Sequence, residues 1–233
     1  MEISLSVSRS APKKHFQEFK VPLQKGMSVL DALIYAKENL DHSIAMRYSC
    51  RMAICGSCGM KVNGKPMLTC YTQISELNSD KVKVEPLDNC AIVRDLVVDF
   101  AEFFSHHKSL SPYLIRNDVR EQDDPVKEFL QKPEEVERYL QYSYCIKCGL
   151  CYSSCPTVAA DKEFPGPQAL AQAYRYVADS RDEGTKKRID AIDTAHGIAR
   201  CHFAGSCSSV CPKGIDPAQG IQLLRRYTLS LKR

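Results

Sequence analysis

The sequence predicts an α+β chain, β-rich in residues 1–95 and helical over 96–233. Two observations carry this. Near the start, ISLSV and FQEFKVPL alternate apolar and polar residues, the period of half-buried strands. Beyond residue 90 the apolar spacing becomes helical, and cysteines recur in two runs closed by proline, Cys145–Pro156 and Cys201–Pro212. At 233 residues the chain has length for two domains with separate cores.

The alternating segments, joined by a basic turn at Pro12–Lys14, form a hairpin. Ser28 stands where an N-cap belongs and Asp31 follows three residues on, as in a capping box. Val29, Leu30, Leu33, Ile34 and Leu40 then recur at helical spacing, which gives a helix over 29–40. A loop rich in cysteine and glycine follows, YSCRMAICGSCGMKVNGKPMLTC, and its Asn63-Gly64 pair signals a tight hairpin turn. Lys81–Glu85 alternates again before Pro86. Strands around one helix describe a β-grasp domain.

After Cys90, the residues Ile92, Val93, Leu96, Val97, Phe100, Phe103 and Phe104 share one helical face, predicting a helix over 91–105. RNDVREQDDP, 116–125, reads as an exposed connector and Glu134–Tyr144 as a helix. Pro167 opens another helix at its first position, carrying Ala169–Ala178. The stretch 180–193 is charged. Asp216-Pro217 caps the last helix, with Ile221, Leu223, Leu224 and Tyr227 inward.

The net charge of +4 and pI near 8.4 are too weak to argue for nucleic acid. Twelve cysteines would mean disulfides in a secreted chain, but MEISLSVSRSAPKK lacks the apolar core and cleavage site of a signal peptide. The most apolar window, 91–104, is broken by Arg94, Asp95, Asp99 and Glu102, so no membrane span is expected. A soluble protein of a reducing compartment follows, with its cysteines used for metal. There is no Gly-rich dinucleotide fingerprint, phosphate loop or Ser/His/Asp constellation. His15, His42, His106 and His107 lack ligand-like spacing, and the tyrosines at 139, 142, 144, 174 and 176 read as packing.

Cys50, Cys55, Cys58 and Cys70 follow the plant-type ferredoxin pattern C-x4-C-x2-C…C, which binds a [2Fe–2S] cluster. Gly56 and Gly59 let that loop wrap closely. A four-cysteine zinc site is the alternative, though such sites favour two C-x2-C knuckles and only one is present. Cys145, Cys148, Cys151, Cys155 and Pro156 follow the bacterial run C-x2-C-x2-C-x3-C-P, whose fourth cysteine ligates the other cluster of a pair. The second run, CHFAGSCSSVCP, keeps Cys201, Cys207 and Cys211 but has Ala204 where another cysteine would stand. Crossing the fourth cysteines gives Cys145, Cys148, Cys151 and Cys211 a [4Fe–4S] cluster. Cys155, Cys201 and Cys207 are left with three thiolates, which suits [3Fe–4S]. A [4Fe–4S] cluster completed by water, hydroxide or a residue such as His202 is the alternative. The second half is thus an all-α, two-cluster ferredoxin domain, and Cys90 reads as a buried, inert thiol.

YSCRMAICGSCGM at 48–60, CIKCGLCYSSCP at 145–156, the GP, AYRY and DSRD elements between 166 and 182, and CHFAGSCSSVCPKGIDP at 201–217 resemble the iron–sulfur subunit of succinate dehydrogenase and fumarate reductase. The resemblance covers nearly the whole chain. It implies electron transfer between a FAD-containing flavoprotein, which interconverts succinate and fumarate, and membrane quinone. It also implies a cytochrome b-type membrane anchor and, depending on that anchor, haem; the chain would lie peripherally on the cytoplasmic face of the cell membrane. By the same resemblance, the quinone pocket draws on Pro156, Ala160, His202 and Ala204. Ubiquinone-reducing members carry tryptophan where this chain has Ala160, which points to a menaquinone-type or remodelled pocket. RMAICGSCGM and CGLCYSSCP look more like fumarate reductases, whereas CHFAG keeps the histidine of the dehydrogenases. An alternative is the electron-transfer subunit of a thiol-linked fumarate reductase or heterodisulfide-reductase-like complex. Those carry further cysteine-rich repeats. From another class comes a structural zinc or interaction module. The basic end LLRRYTLSLKR could face membrane or pack as an amphipathic helix.

Overall fold

In the computed structural model, which describes residues 2–126 and 128–230, the chain forms two compact units. The first takes in the chain up to Phe100 together with Ile146–Ser154, and the second takes in Ala101–Cys145 and the chain from Cys155 on. A single cut near residue 95 does not anticipate the passage of 146–154 into the first unit.

The first unit is built on β1 (Glu2–Arg9), β2 (His15–Pro22), β3 (Gly59–Val62), β4 (Lys65–Leu68) and β5 (Lys81–Glu85), in the order β2-β1-β5-β3-β4. β1 runs antiparallel to β2 and parallel to β5. Alternation sends Ile3, Leu5, Val7, Met60, Val62, Val82 and Val84 to one face, where α1 (Val29–Asn39) presents Val29, Ala32, Leu33 and Ala36. The period-two pattern thus works as read, because burying only one face fixes the register. The capping box forms: the Ser28 hydroxyl accepts from the Asp31 amide at 3.2 Å, and Asp31 accepts from the Ser28 amide at 3.0 Å. Asn63 and Gly64 turn the β3–β4 hairpin with φ of 46° and 83°, the left-handed pair such a turn requires.

The helix expected over 91–105 is corrected. Ile92–Arg94 and Val97–Val98 form a small hairpin, β6 and β7, and only Ala101–Ser109 is helical, as α2. Asp95 occupies the turn with φ 50° and is 2% exposed. Its carboxylate accepts from the amides of Ser10 at 2.9 Å and Ala45 at 3.0 Å. These partners from remote parts of the chain outweigh the local helical period, and Ile92 and Val93 are left exposed.

The second unit is helical. α3 (Val119–Asp123) lies in the expected connector, and the single helix expected over 134–144 is two short ones, α4 (Pro133–Glu137) and α5 (Leu140–Ser143). The first unit's short α6 is Leu150–Ser153; α7 is Pro156–Ala160, α8 is Gly166–Val177, α9 is Thr185–Ile192, α10 is Ser206–Ser209 and α11 is Pro217–Ser230. α8 and α11 pack together, and Asp216 accepts from the Gln219 amide at 2.9 Å as the expected cap. Ile221 and Leu224 are buried, whereas Leu223 and Tyr227 are half-buried. The last three residues of LLRRYTLSLKR lie outside the described residues.

Candidate iron–sulfur sites

In the first unit a loop without regular structure runs from 46 to 58. Thr69 pins its end, donating to the Cys58 carbonyl from its amide at 3.2 Å and from its hydroxyl at 3.0 Å. That brings Cys58 beside Cys70, which also feels the Cys50 sulfur. Arg51 and Ala53 each have φ 56° and Gly56 has φ 75°. So turned, the loop aims its amides at sulfur. Cys50 Sγ accepts from Met52 at 3.5 Å, Ile54 at 3.4 Å and Cys55 at 3.3 Å, and Cys70 Sγ accepts from Ala53 at 3.4 Å. The Ser57 hydroxyl, and after it the Cys50 backbone, hold the Cys55 thiol down at about 6. Burial pushes Cys70 up to about 11.

This donor set suits a cluster better than one ion. Zinc needs its sulfurs about 2.3 Å from a single centre and calls for no amides aimed at them. Amides directed at thiolate sulfur are what stabilises and tunes an iron–sulfur core. Gly56 is required for a further reason: a Cβ there would stand 2.8 Å from the Cβ of Cys148.

The four cysteines expected to share [4Fe–4S] are divided between the units: Cys148 and Cys151 belong to the first, Cys145 and Cys211 to the second. The Cys145 amide donates to the Tyr142 carbonyl, the Cys211 amide donates to the Ser208 carbonyl, and Gly149 holds φ 79° where a Cβ would strike the Phe100 ring at 2.5 Å.

Within the second unit, Cys155 at the start of α7, Cys201 after the 3-10 turn Ile198–Arg200, and Cys207 on α10 line one pocket. Pro156, His202 and Ala204 line it too; Ala160, exposed at the end of α7, does not. Burial pushes the Cys155 thiol up and that of Cys207 to about 11, and the Cys201 sulfur adds to both. Three sulfurs and the bare methyl of Ala204 therefore face one space. Arg225 of α11 holds its far wall, donating from Nη2 to the carbonyls of Ile198 at 3.1 Å, Ala199 at 3.0 Å and Cys201 at 2.8 Å. The sequence reading missed Arg225. Its place one turn after Ile221 marks the inward side of α11 but not its carbonyl partners. Cys90 is half-buried rather than buried.

Among the described residues no helix is long and apolar enough to cross a membrane. A 2Fe-2S iron-sulfur cluster binding domain matches residues 4–105, and a 4Fe-4S dicluster domain matches 141–215. The chain is 44% identical to the fumarate reductase iron-sulfur subunit of Mycobacterium tuberculosis over 232 residues, covering 98% of this chain and 92% of that one. It is 38% identical to the succinate dehydrogenase iron-sulfur subunit of Coxiella burnetii, covering 97% of each. Its fold is similar to a chain of the Mycobacterium smegmatis Sdh1 complex in the apo form, with a TM-score of 0.87 at 24% identity over 99% of this chain and 97% of that chain.

Proposed function

The chain belongs to the iron–sulfur subunits of succinate dehydrogenase and fumarate reductase, and from that premise we propose how its cysteines divide among clusters and where quinone meets them. As such a subunit it serves electron transfer in an oxidoreductase complex, with a 2Fe-2S and a 4Fe-4S domain. Relatives carry both names, and the same ligand arrangement serves either direction.

In this reading Cys50, Cys55, Cys58 and Cys70 hold [2Fe–2S], Cys145, Cys148, Cys151 and Cys211 hold [4Fe–4S], and Cys155, Cys201 and Cys207 hold [3Fe–4S]. Bound there, the clusters supply one-electron carriers whose potentials follow cluster type and the hydrogen bonds to sulfur. The FAD-containing flavoprotein docks over the first loop, where Met52, Ile54 and Tyr71 are 69%, 56% and 72% exposed around the exposed Cys55. Such apolar exposure beside a redox site suits a covered interface. A membrane anchor covers the rim formed by Pro156, His202 and Phe203, the last 57% exposed, and quinone enters beside His202. In this reading its imidazole donates to a quinone oxygen.

The observation that carries the reading is the pocket itself, where three cysteines and the quinone-rim residues line one space. His202→Ala tests it in the assembled complex. Quinone-linked turnover falls by about tenfold to a hundredfold for loss of one positioned donor, while succinate-to-dye turnover stays. Unchanged quinone turnover removes His202 from the site.

A further inference from the structure

The two walls of the pocket around Cys155, Cys201 and Cys207 come from separate stretches of chain. One is α7, which starts at Pro156; the other is the loop that starts at Cys201. Both lead to one carboxylate that electron transfer leaves unused. Asp161 follows the last residue of α7, and its amide donates to the Thr157 carbonyl at 2.8 Å. Its side chain is only 12% exposed. His196 Nδ1 lies 2.9 Å from Asp161 Oδ2, and Arg200 Nε lies 3.3 Å from the same oxygen. Arg200 immediately precedes Cys201.

We propose that Asp161, His196 and Arg200 are positioning residues that clasp the two walls of this pocket together, and that protonation of His196 tightens the clasp. The proposal rests on the reading of the pocket as the meeting place of third cluster and quinone.

The chemistry follows from what an imidazole can donate. A neutral ring has one N–H, and with it on Nδ1 the bond to Asp161 is an ordinary one. The imidazolium donates from both nitrogens. Its bond to Asp161 becomes charge-assisted, and Nε2 then attracts Glu163 Oε1, 3.8 Å away. The charged groups around His196 are Asp161 and Glu163 on the segment after α7 and, across Asp161, Arg200. His106 of α2 meets the same segment at the Lys162 carbonyl, 3.1 Å away, and Glu102 at 3.8 Å. The grip on the walls therefore strengthens when the imidazole gains its second proton.

The test uses the assembled complex as wild type, His196→Asn and Asp161→Asn. Hydrogen–deuterium exchange of peptides spanning 196–205 is compared at pH 6 and pH 8 after correction for intrinsic rates. The quinone KM is followed over the same range, with succinate-to-dye turnover measuring intact complex. In the wild type, protection is greater at pH 6, and the quinone KM rises by about threefold to tenfold by pH 8, the effect of one charge-assisted contact. His196→Asn abolishes both steps and leaves the dye curve unchanged. Asp161→Asn lowers protection at both values. Equal wild-type protection at the two pH values overturns the clasp, as does a pH step that survives in His196→Asn; the wild-type comparison decides alone if a variant fails to assemble. Protection that follows His196 with a quinone KM that ignores it keeps the clasp and overturns the assignment of quinone to this pocket.

Discussion

Ala204 is one methyl group in a place where the repeat of the ferredoxin run calls for sulfur. It lines the same pocket as Cys155, Cys201 and Cys207, between Phe203 at φ 55° and Gly205 at φ 73°. A cysteine there adds a fourth thiolate to three that already face the space. Ala204→Cys is expected to convert the proposed [3Fe–4S] cluster to [4Fe–4S] and lower its potential, since an added thiolate donates charge to the core. Paramagnetic resonance of the oxidised complex checks it: the three-iron signal disappears, and its retention in assembled protein overturns the assignment. Ala204 was legible because spacing alone marks the vacant offset, whereas His202 was named by family resemblance. Arg225 was not, because its three partners are backbone carbonyls 24 to 27 residues away, and no side-chain pattern announces a carbonyl.

Elements show the same division between local and remote causes. The β1–β2 hairpin, the capped α1 and the Asn63-Gly64 turn follow from neighbours a few residues apart, and the sequence carries them openly. The β6–β7 hairpin does not, because Asp95 is fixed by Ser10 and Ala45. α9 is the sharper case. Its stretch reads only as charged, yet Arg188 is fully buried. Its guanidinium reaches Asp182 at 2.6 Å and 3.0 Å, Ser111 O at 3.0 Å and Tyr113 O at 2.6 Å. Asp182 in turn accepts from the amides of Ile115 and Gly184. α9 is thereby held by an ion pair to Asp182 and by bonds to the Ser111 and Tyr113 carbonyls of the segment after α2. Arg188→Ala leaves Asp182 buried without its counter-charge, a loss of about 3–5 kcal/mol. Arg188→Lys recovers only part, because an ammonium is a point charge without the planar fork. Thermal unfolding of the two variants checks the order; equal melting temperatures for wild type and Arg188→Ala would show that the pair contributes nothing.

At the scale of the whole chain, each unit depends on a buried carboxylate whose ionisation is coupled to folding. Asp95 in the first unit and Asp179 in the second are 2% and 5% exposed. Burial opposes ionisation at both, yet both remain below the ordinary carboxylate value. The Ala45 and Ser10 amides and Arg9 outweigh burial at Asp95, and Arg181 does so at Asp179. A carboxyl lowered on folding binds its proton less readily in the native chain, so it contributes stability above its unfolded value, about 3.9. That contribution is lost as pH falls through the lowered native value. Asp95→Asn and Asp179→Asn should each cost about 1–3 kcal/mol at pH 7, and the cost should shrink below about pH 4 as the wild type protonates. The Asp179 carboxylate accepts from Arg181 and Gln131; neither of them bonds Asp95 among the described residues, so the double variant should show the sum of the two losses. Melting temperatures of the four proteins between pH 3 and 7 measure this. A cost that stays constant down to pH 3 would show that charge is not what these carboxylates contribute.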